Sequence, residues 1–154
     1  MALLLKNLLF TFLVPGTVAG LLPWTIAGDA PPVTGATLAL AVLFFALGLS
    51  IYAWCVYDFA SFGRGTPAPI DAPKRLVVRG LYRYTRNPMY VGVLTVLLGW
   101  TVLFLLPRLA LYTAFVGTMF HTFVMLYEEP ALEREFGEEY VAYKARVSRW
   151  LLRR

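Results

Sequence analysis

The sequence predicts an all-α integral membrane protein with about four transmembrane helices, a cytoplasmic loop and an amphipathic C-terminal helix. Three observations predict this. Of 154 residues, 59% are hydrophobic and only 15% charged, far from the roughly 45–50% and 25% of a soluble domain, so the chain cannot cover itself with a water-facing surface. Four apolar stretches approach the length of about 20 residues that a bilayer core requires. The basic residues cluster between and after these stretches in a way that fixes an orientation.

The first stretch runs from about Leu8 to Trp24 and carries Pro15 and Gly16 near its middle and Pro23 at its end. A kinked helix is expected there, its freed carbonyls satisfied by neighbouring helices. Lys6 ahead of an apolar run also fits a cleaved signal peptide, but no clear small-x-small site follows. The second stretch, Thr34 to Tyr57, contains the single cysteine, Cys55. One cysteine supports neither an intrachain disulfide nor a thiolate metal cluster, so Cys55 reads as a small packing residue and no metal site is expected. The third and fourth stretches, Met89 to Leu106 and Leu109 to Tyr127, are separated only by Pro107 and Arg108, which leaves room for nothing but a tight helical hairpin. A single membrane-embedded domain spanning 1–154 follows, with a loop at 58–88 and a tail at 128–154.

Fourteen Lys and Arg residues give a net charge of +5. Six of them lie between the second and third stretches (Arg64, Lys74, Arg75, Arg79, Arg83, Arg86) and six after the fourth (Arg134, Lys144, Arg146, Arg149, Arg153, Arg154). Arg108 alone is left for the opposite side. The positive-inside rule makes the loop, the tail and both termini cytoplasmic, as in a multi-pass protein of a prokaryotic inner membrane. The excess charge then faces anionic headgroups, making membrane lipids the expected surroundings. Nucleic acid is not an expected partner, because a duplex footprint is not normally divided between two loops flanking lipid-buried helices.

The loop opens with a Gly/Pro-rich run, Phe62 to Pro73, and then changes to a Val/Tyr/Arg-rich segment leading into the third stretch. Gly80 suits a turn with φ > 0, and Asn87-Pro88 reads as a helix cap followed by the first helical residue. The N–H groups and positive dipole end of such a helix start can hold a carboxylate. In the tail, Leu132, Phe136, Tyr140, Tyr143, Val147 and Leu151 recur at spacings of three and four, giving one apolar helical face that Gly137 can divide. That face can lie on the membrane or fold back over the loop.

Two segments carry the functional argument: Gly80-Leu-Tyr-Arg-Tyr-Thr-Arg-Asn-Pro-Met-Tyr-Val-Gly92, and Glu128-Glu129 followed by Leu132, Phe136-Gly137, Tyr140 and Tyr143. From Arg79 to Val147 this arrangement resembles the isoprenylcysteine carboxyl methyltransferases and their relatives among the phospholipid methyltransferases. The resemblance implies a polytopic membrane enzyme using S-adenosylmethionine, with S-adenosylhomocysteine as product, and a cofactor pocket between the loop and the C-terminal helix. The family's RHPxYxG pattern falls on Arg86, Asn87, Pro88, Tyr90 and Gly92, and its acidic pair on Glu128 and Glu129. Asn87 replaces the histidine, which keeps a donor and an acceptor but removes acid–base chemistry. Val124 stands where several members have an arginine one turn before the acidic pair, which puts a substrate-carboxylate clamp in doubt.

The residues are compatible with this chemistry. Methyl transfer from a sulfonium needs a dry, aligned site more than a strong base. A carboxylate for the cofactor's amino or ribose groups is offered by Glu128 or Glu129, and its carboxylate is matched by Arg86 and the helix start at Asn87. Tyr82, Tyr90 and Tyr140 are aromatic candidates for the adenine or the sulfonium. His121, the only histidine, lies about two turns inside the fourth stretch and shares a helical face with Met125 and Glu128. Glu128, His121 and Arg86 are therefore the catalytic candidates, and Tyr82, Asn87, Pro88, Tyr90, Gly92, Glu129 and Tyr140 the cofactor-binding ones. The same residues also fit plainer roles: interface anchors at Tyr82, Arg83 and Tyr84, a simple cap at Asn87-Pro88, solvated acids at Glu128-Glu129, and an interhelical hydrogen bond at His121. The leading reading is a methyltransferase acting on a lipophilic acceptor: an isoprenyl carboxylate, a phospholipid amine or a small isoprenoid. An NADPH-dependent reductase of the sterol-reductase type and a non-enzymatic membrane scaffold are the alternatives.

Overall fold

A computed structural model describes residue 11, residues 13–63 and residues 75–150. Lys6, the start of the first stretch at Leu8, Arg64, Lys74, most of the Gly/Pro run, Leu151, Arg153 and Arg154 lie outside the described residues. All regular structure among the described residues is helical. In chain order these are α1 (Thr17–Ala27), α2 (Ala36–Asp58), a 3₁₀ turn at Gly80–Arg83, α3 (Pro88–Phe104), α4 (Pro107–Phe123), α5 (Glu129–Phe136) and α6 (Glu138–Arg146).

Two helical runs are long and apolar enough to cross a membrane: Ala36–Phe62, which is α2 with its extension, and Pro107–Phe136, which is α4 running into α5. Most of their apolar surface faces outward; Leu111 is 71% and Phe115 65% exposed. A soluble core helix would bury such side chains, whereas lipid solvates them. The remaining apolar helices, α1 and α3, are shorter.

Glycines set the packing of α2 on α3. A Cβ at Gly48 would sit 2.7 Å from the Gly92 carbonyl oxygen and 2.8 Å from the Val96 nitrogen, and one at Gly92 3.0 Å from the Gly48 carbonyl oxygen. The two backbones are thus in direct contact, the close approach that small residues permit between helices in lipid. About two turns further along α3, Gly99 receives the ring of Phe45. Trp100 packs edge-on against Phe45 and Trp24, at 5.6 Å and 6.2 Å between ring centroids.

The expected irregularity after Pro15-Gly16 is a π-helical turn at Thr17–Leu21. Its widened backbone frees carbonyls, and neighbouring helices satisfy them: the Tyr112 hydroxyl donates to the Val18 oxygen at 2.9 Å and the Trp100 indole to the Ala19 oxygen at 2.8 Å. Arg108 donates to the Ala27 oxygen at 2.9 Å and ties the end of α1 to the start of α4.

Three boundaries differ from the sequence reading. The second helix does not stop at Tyr57 but continues as a π turn, Phe59–Gly63, since no breaker precedes Gly63. The hairpin reverses at Leu105-Leu106, with Leu105 at φ 50°, and Pro107 is the first residue of α4, where its missing N–H costs no hydrogen bond. The fourth helix does not end at Tyr127. It passes through a π turn at Val124–Glu128 into α5 and on to Phe136. A π turn just before Pro130 relieves the clash that a proline ring makes with the carbonyl four residues back.

Gly137, at φ 53°, divides the tail into α5 and α6. The tail's apolar face folds back over the loop: Tyr140 and Tyr143 are buried with Leu76, and Leu132, Phe136 and Val147 pack around them. A second cluster of Cys55, Val77 and Tyr82 locks the loop onto the end of α2.

Candidate functional site

The loop is placed by an unusual contact. Gly80 has φ 54°, and a Cβ there would collide with the carboxylate of Asp58 and lie 2.8 Å from the Trp54 indole nitrogen. Only glycine makes this turn against the last residue of α2. Asp58 is buried; one oxygen pairs with Arg79 at 3.1 Å and the other has no hydrogen-bond partner among the described residues. With the loop fixed there, the 3₁₀ turn Gly80–Arg83 carries the chain to Thr85, Arg86 and Asn87 at the start of α3.

On the facing side, the run from α4 into α5 presents Glu128 and Glu129. Glu129 is 8% exposed and accepts from two guanidinium groups. Arg86 Nη1 reaches its Oε1 at 2.9 Å, and Arg149 binds in a fork, Nε to Oε1 at 2.6 Å and Nη2 to Oε2 at 2.9 Å. Arg86 Nη1 also donates to the Tyr140 hydroxyl at 3.5 Å, while its buried Nε has no partner among the described residues. Burial raises the pKa of Tyr140 and Tyr143, so both phenols stay protonated at neutral pH. The Tyr143 hydroxyl donates to the Tyr82 carbonyl at 2.7 Å, tying α6 to the 3₁₀ turn.

Glu128 faces a second, more aromatic compartment. The Tyr90 hydroxyl donates to its Oε2 at 2.7 Å. Phe120 lies 4.7 Å from the Tyr90 ring and Trp150 6.4 Å. The Trp150 indole donates to His121 Nδ1 at 2.9 Å, which makes Nδ1 an acceptor and leaves the ring proton on Nε2.

Asn87 does not cap α3 with its side chain, contrary to the sequence reading. Its Nδ2 donates instead to the Arg149 carbonyl at 3.1 Å, and α3 starts with no side-chain cap. The Arg149 carbonyl also accepts from the Thr85 hydroxyl at 2.9 Å, and the Ser148 carbonyl accepts the Arg86 backbone N–H at 2.9 Å. The tail segment thus binds the residues just before the helix and draws the Asn87 side chain away from the first-turn N–H groups that it would cap.

Among the sequence-derived candidates, Arg86, Asn87, Glu129 and Tyr140 converge on the charged cluster, and Tyr90, Glu128 and His121 on the aromatic one. Pro88 is buried as the first residue of α3. The Tyr82 side chain belongs to the core cluster with Cys55 and Val77, edge-on to Phe59 at 5.6 Å. Gly92 lies in the contact between α2 and α3. Met125, near the start of the π turn, is 43% exposed. Arg149, Trp150 and Thr85 were not candidates. No sequence spacing ties residues 148–150 to a partner twenty or more positions away, and Arg149 stood out only as one of several tail cations.

The fold and cluster define a class: a small helical membrane protein with a paired-glutamate and arginine site where the third and fourth apolar helices meet a polar tail. The chain belongs to the phospholipid methyltransferase family, whose family model matches residues 36–139. It is 37% identical over 73 residues to Protein-S-isoprenylcysteine O-methyltransferase B of Arabidopsis thaliana, a match covering 47% of this chain and 37% of that protein. It is 41% identical over 64 residues to an uncharacterized protein of Haemophilus influenzae, covering 41% of this chain and all of that protein. The chain thus spans little more than a third of the length of the plant relative. No solved structure matches.

Proposed function

We propose that this chain is a membrane methyltransferase that moves a methyl group from S-adenosylmethionine to a lipophilic acceptor at the cytoplasmic membrane face. The observation that carries the proposal is the convergence of Arg86, Asn87, Glu128 and Glu129, from segments about forty residues apart, at the junction of α3, α4 and the tail.

The donor set suits the cofactor. Glu129 offers a carboxylate for an ammonium group, and Asn87 Nδ2, the Thr85 hydroxyl and the Arg86 N–H offer donors for a carboxylate. The buried, unpaired Nε of Arg86 adds a donor already removed from water. The bound cofactor would supply an electrophilic methyl on a positively charged sulfur. Glu128, held by Tyr90, places negative charge beside the aromatic compartment where such a cation is favoured. Tyr90, Phe120 and His121 give that compartment largely apolar walls, which exclude water from an in-line displacement and suit an acceptor entering from the bilayer.

The topology belongs to the same reading. In this reading all four apolar segments cross the membrane, although α1 and α3 are shorter than the two long runs; the 17 residues of α3 are at the short end of the usual range. Both termini, the loop and the tail face the cytoplasm, where the cofactor is made. Purified protein in lipid nanodiscs, given radiolabelled S-adenosylmethionine and lipid extracts, is expected to label a lipid-soluble product and to retain S-adenosylhomocysteine. Retention of NADPH instead would favour the reductase reading, and retention of neither would leave a scaffold.

A further inference from the structure

The segment Ser148–Trp150 lies across the start of α3 and the end of α4, and its polar contacts repeat one charge pattern. Its cation, the Arg149 guanidinium, sits on both oxygens of Glu129. Its oxygens, the carbonyls of Ser148 and Arg149, sit on the Arg86 N–H, the Asn87 side-chain amide and the Thr85 hydroxyl. Trp150 closes the neighbouring compartment by donating to His121 and lying edge-on to Tyr90. A cation on the carboxylate and oxygens on the donor group are what the two ends of an α-amino acid zwitterion would present to these same residues.

We propose that Ser148–Trp150 is a self-occluding latch that imitates the amino-acid end of the cofactor and must be displaced for the cofactor to bind. The proposal rests on the methyltransferase reading. The segment is built to leave. Val147 is the last residue packed into the buried tyrosine cluster and has extended backbone, so the chain can swing from that point with Tyr140 and Tyr143 still in place. The Arg149 side chain is 28% exposed, so its rim position lets water take up the guanidinium as it withdraws. An incoming zwitterion replaces the latch contacts nearly one for one, so no buried donor is stranded during exchange. Arg86 stays on Glu129 in both arrangements and keeps the carboxylate neutralised.

A closed latch lowers apparent affinity by the fraction of molecules in which it is open. Removing its cation therefore raises affinity, the reverse of what loss of an ordinary binding residue does. The test is calorimetric titration of S-adenosylhomocysteine into the full chain in nanodiscs, as wild type, Arg149→Ala, Arg149→Lys and a form ending after Val147. Arg149→Ala and the shortened form are expected to bind about five- to tenfold more tightly, with Arg149→Lys between them and wild type. Hydrogen exchange at the Arg86 amide, without ligand, is expected to rise in Arg149→Ala and to fall again when S-adenosylhomocysteine is added. Equal or weaker binding by both Arg149→Ala and the shortened form, with wild type binding measurably, overturns the latch and leaves the methyltransferase reading standing. Absence of binding by all four proteins removes the methyltransferase reading and the latch with it.

Discussion

The Tyr90 hydroxyl donates a 2.7 Å hydrogen bond to Glu128 Oε2, linking the first turn of α3 to the π turn that follows α4. This contact orients the carboxylate at the hydroxyl of Tyr90, whose ring meets Phe120 and Trp150. Glu128→Gln is nearly isosteric but uncharged. It is expected to weaken binding of S-adenosylmethionine more than that of the neutral thioether product, by about tenfold, as an opposite charge in a partly dry site implies. Glu133→Gln is the control, because Glu133 pairs with Lys144 on the exposed side of the tail and such pairs contribute about 0–1 kcal/mol. Equal losses for both ligands would remove the charge argument; wild-type binding and turnover would take Glu128 out of the site.

In the form ending after Val147, where the Arg149 carbonyl no longer takes the same donor, Asn87→Ala is expected to weaken S-adenosylhomocysteine binding by roughly fivefold, near the ~1 kcal/mol of one hydrogen bond, while the protein stays folded. Asn87 does not cap α3 with its side chain, so the helix loses little. Asn87→His should be tolerated. Unchanged affinity in the alanine variant would return Asn87 to a structural role.

Glu129→Gln should lower stability as well as cofactor affinity. It leaves Arg86, whose side chain is 10% exposed, and Arg149 facing each other with no counter-charge. Loss of one partner from a buried ion pair costs on the order of 3 kcal/mol. A thermal or denaturant midpoint in detergent equal to that of Glu133→Gln would contradict this account of the cluster.

The contact between Gly48 and Gly92 predicts a sharp size limit. Gly48→Ala would place a methyl against backbone atoms of α3, which cannot rotate away, and is expected to destabilise the protein by about 1–3 kcal/mol. Gly20→Ala, with open space around it, is expected to be neutral or stabilising. Equal melting temperatures for the two variants would mean that α2 and α3 are further apart.

Membrane orientation is tested by cysteine labelling. Tyr84→Cys and Glu139→Cys, both exposed on the loop and tail, should react from the cytoplasmic side only, and Asp29→Cys from the opposite side. Cys55 is fully buried and should contribute no background. Labelling of Tyr84→Cys from outside intact cells would reverse the topology and separate the site from the cytosolic cofactor.

What the sequence determined by itself was whatever depends on local composition and periodicity. Long apolar runs make helices in any setting that excludes water, so the apolar segments could be read directly, as could the freed carbonyls near Pro15-Gly16 that neighbouring helices satisfy, the turn at Gly80, the break at Gly137 and the Leu/Tyr face of the tail; that the irregularity is a π turn rather than a kink was not. Two motifs carried Arg86, Asn87, Glu128 and Glu129 into view through their resemblance to those of the isoprenylcysteine carboxyl methyltransferases and their relatives. The tertiary structure alone decided which partners these groups take. A carboxylate's pairing depends on which chain reaches it in space, so the fork of Arg149 on Glu129, the transfer of Asn87 from capping α3 to the Arg149 carbonyl, and the placement of Trp150 against His121 left no periodic trace. Gly92 is the converse case. The motif marked it for the site, but the packing of α2 on α3 accounts for it, because two helix backbones can touch only where neither carries a side chain.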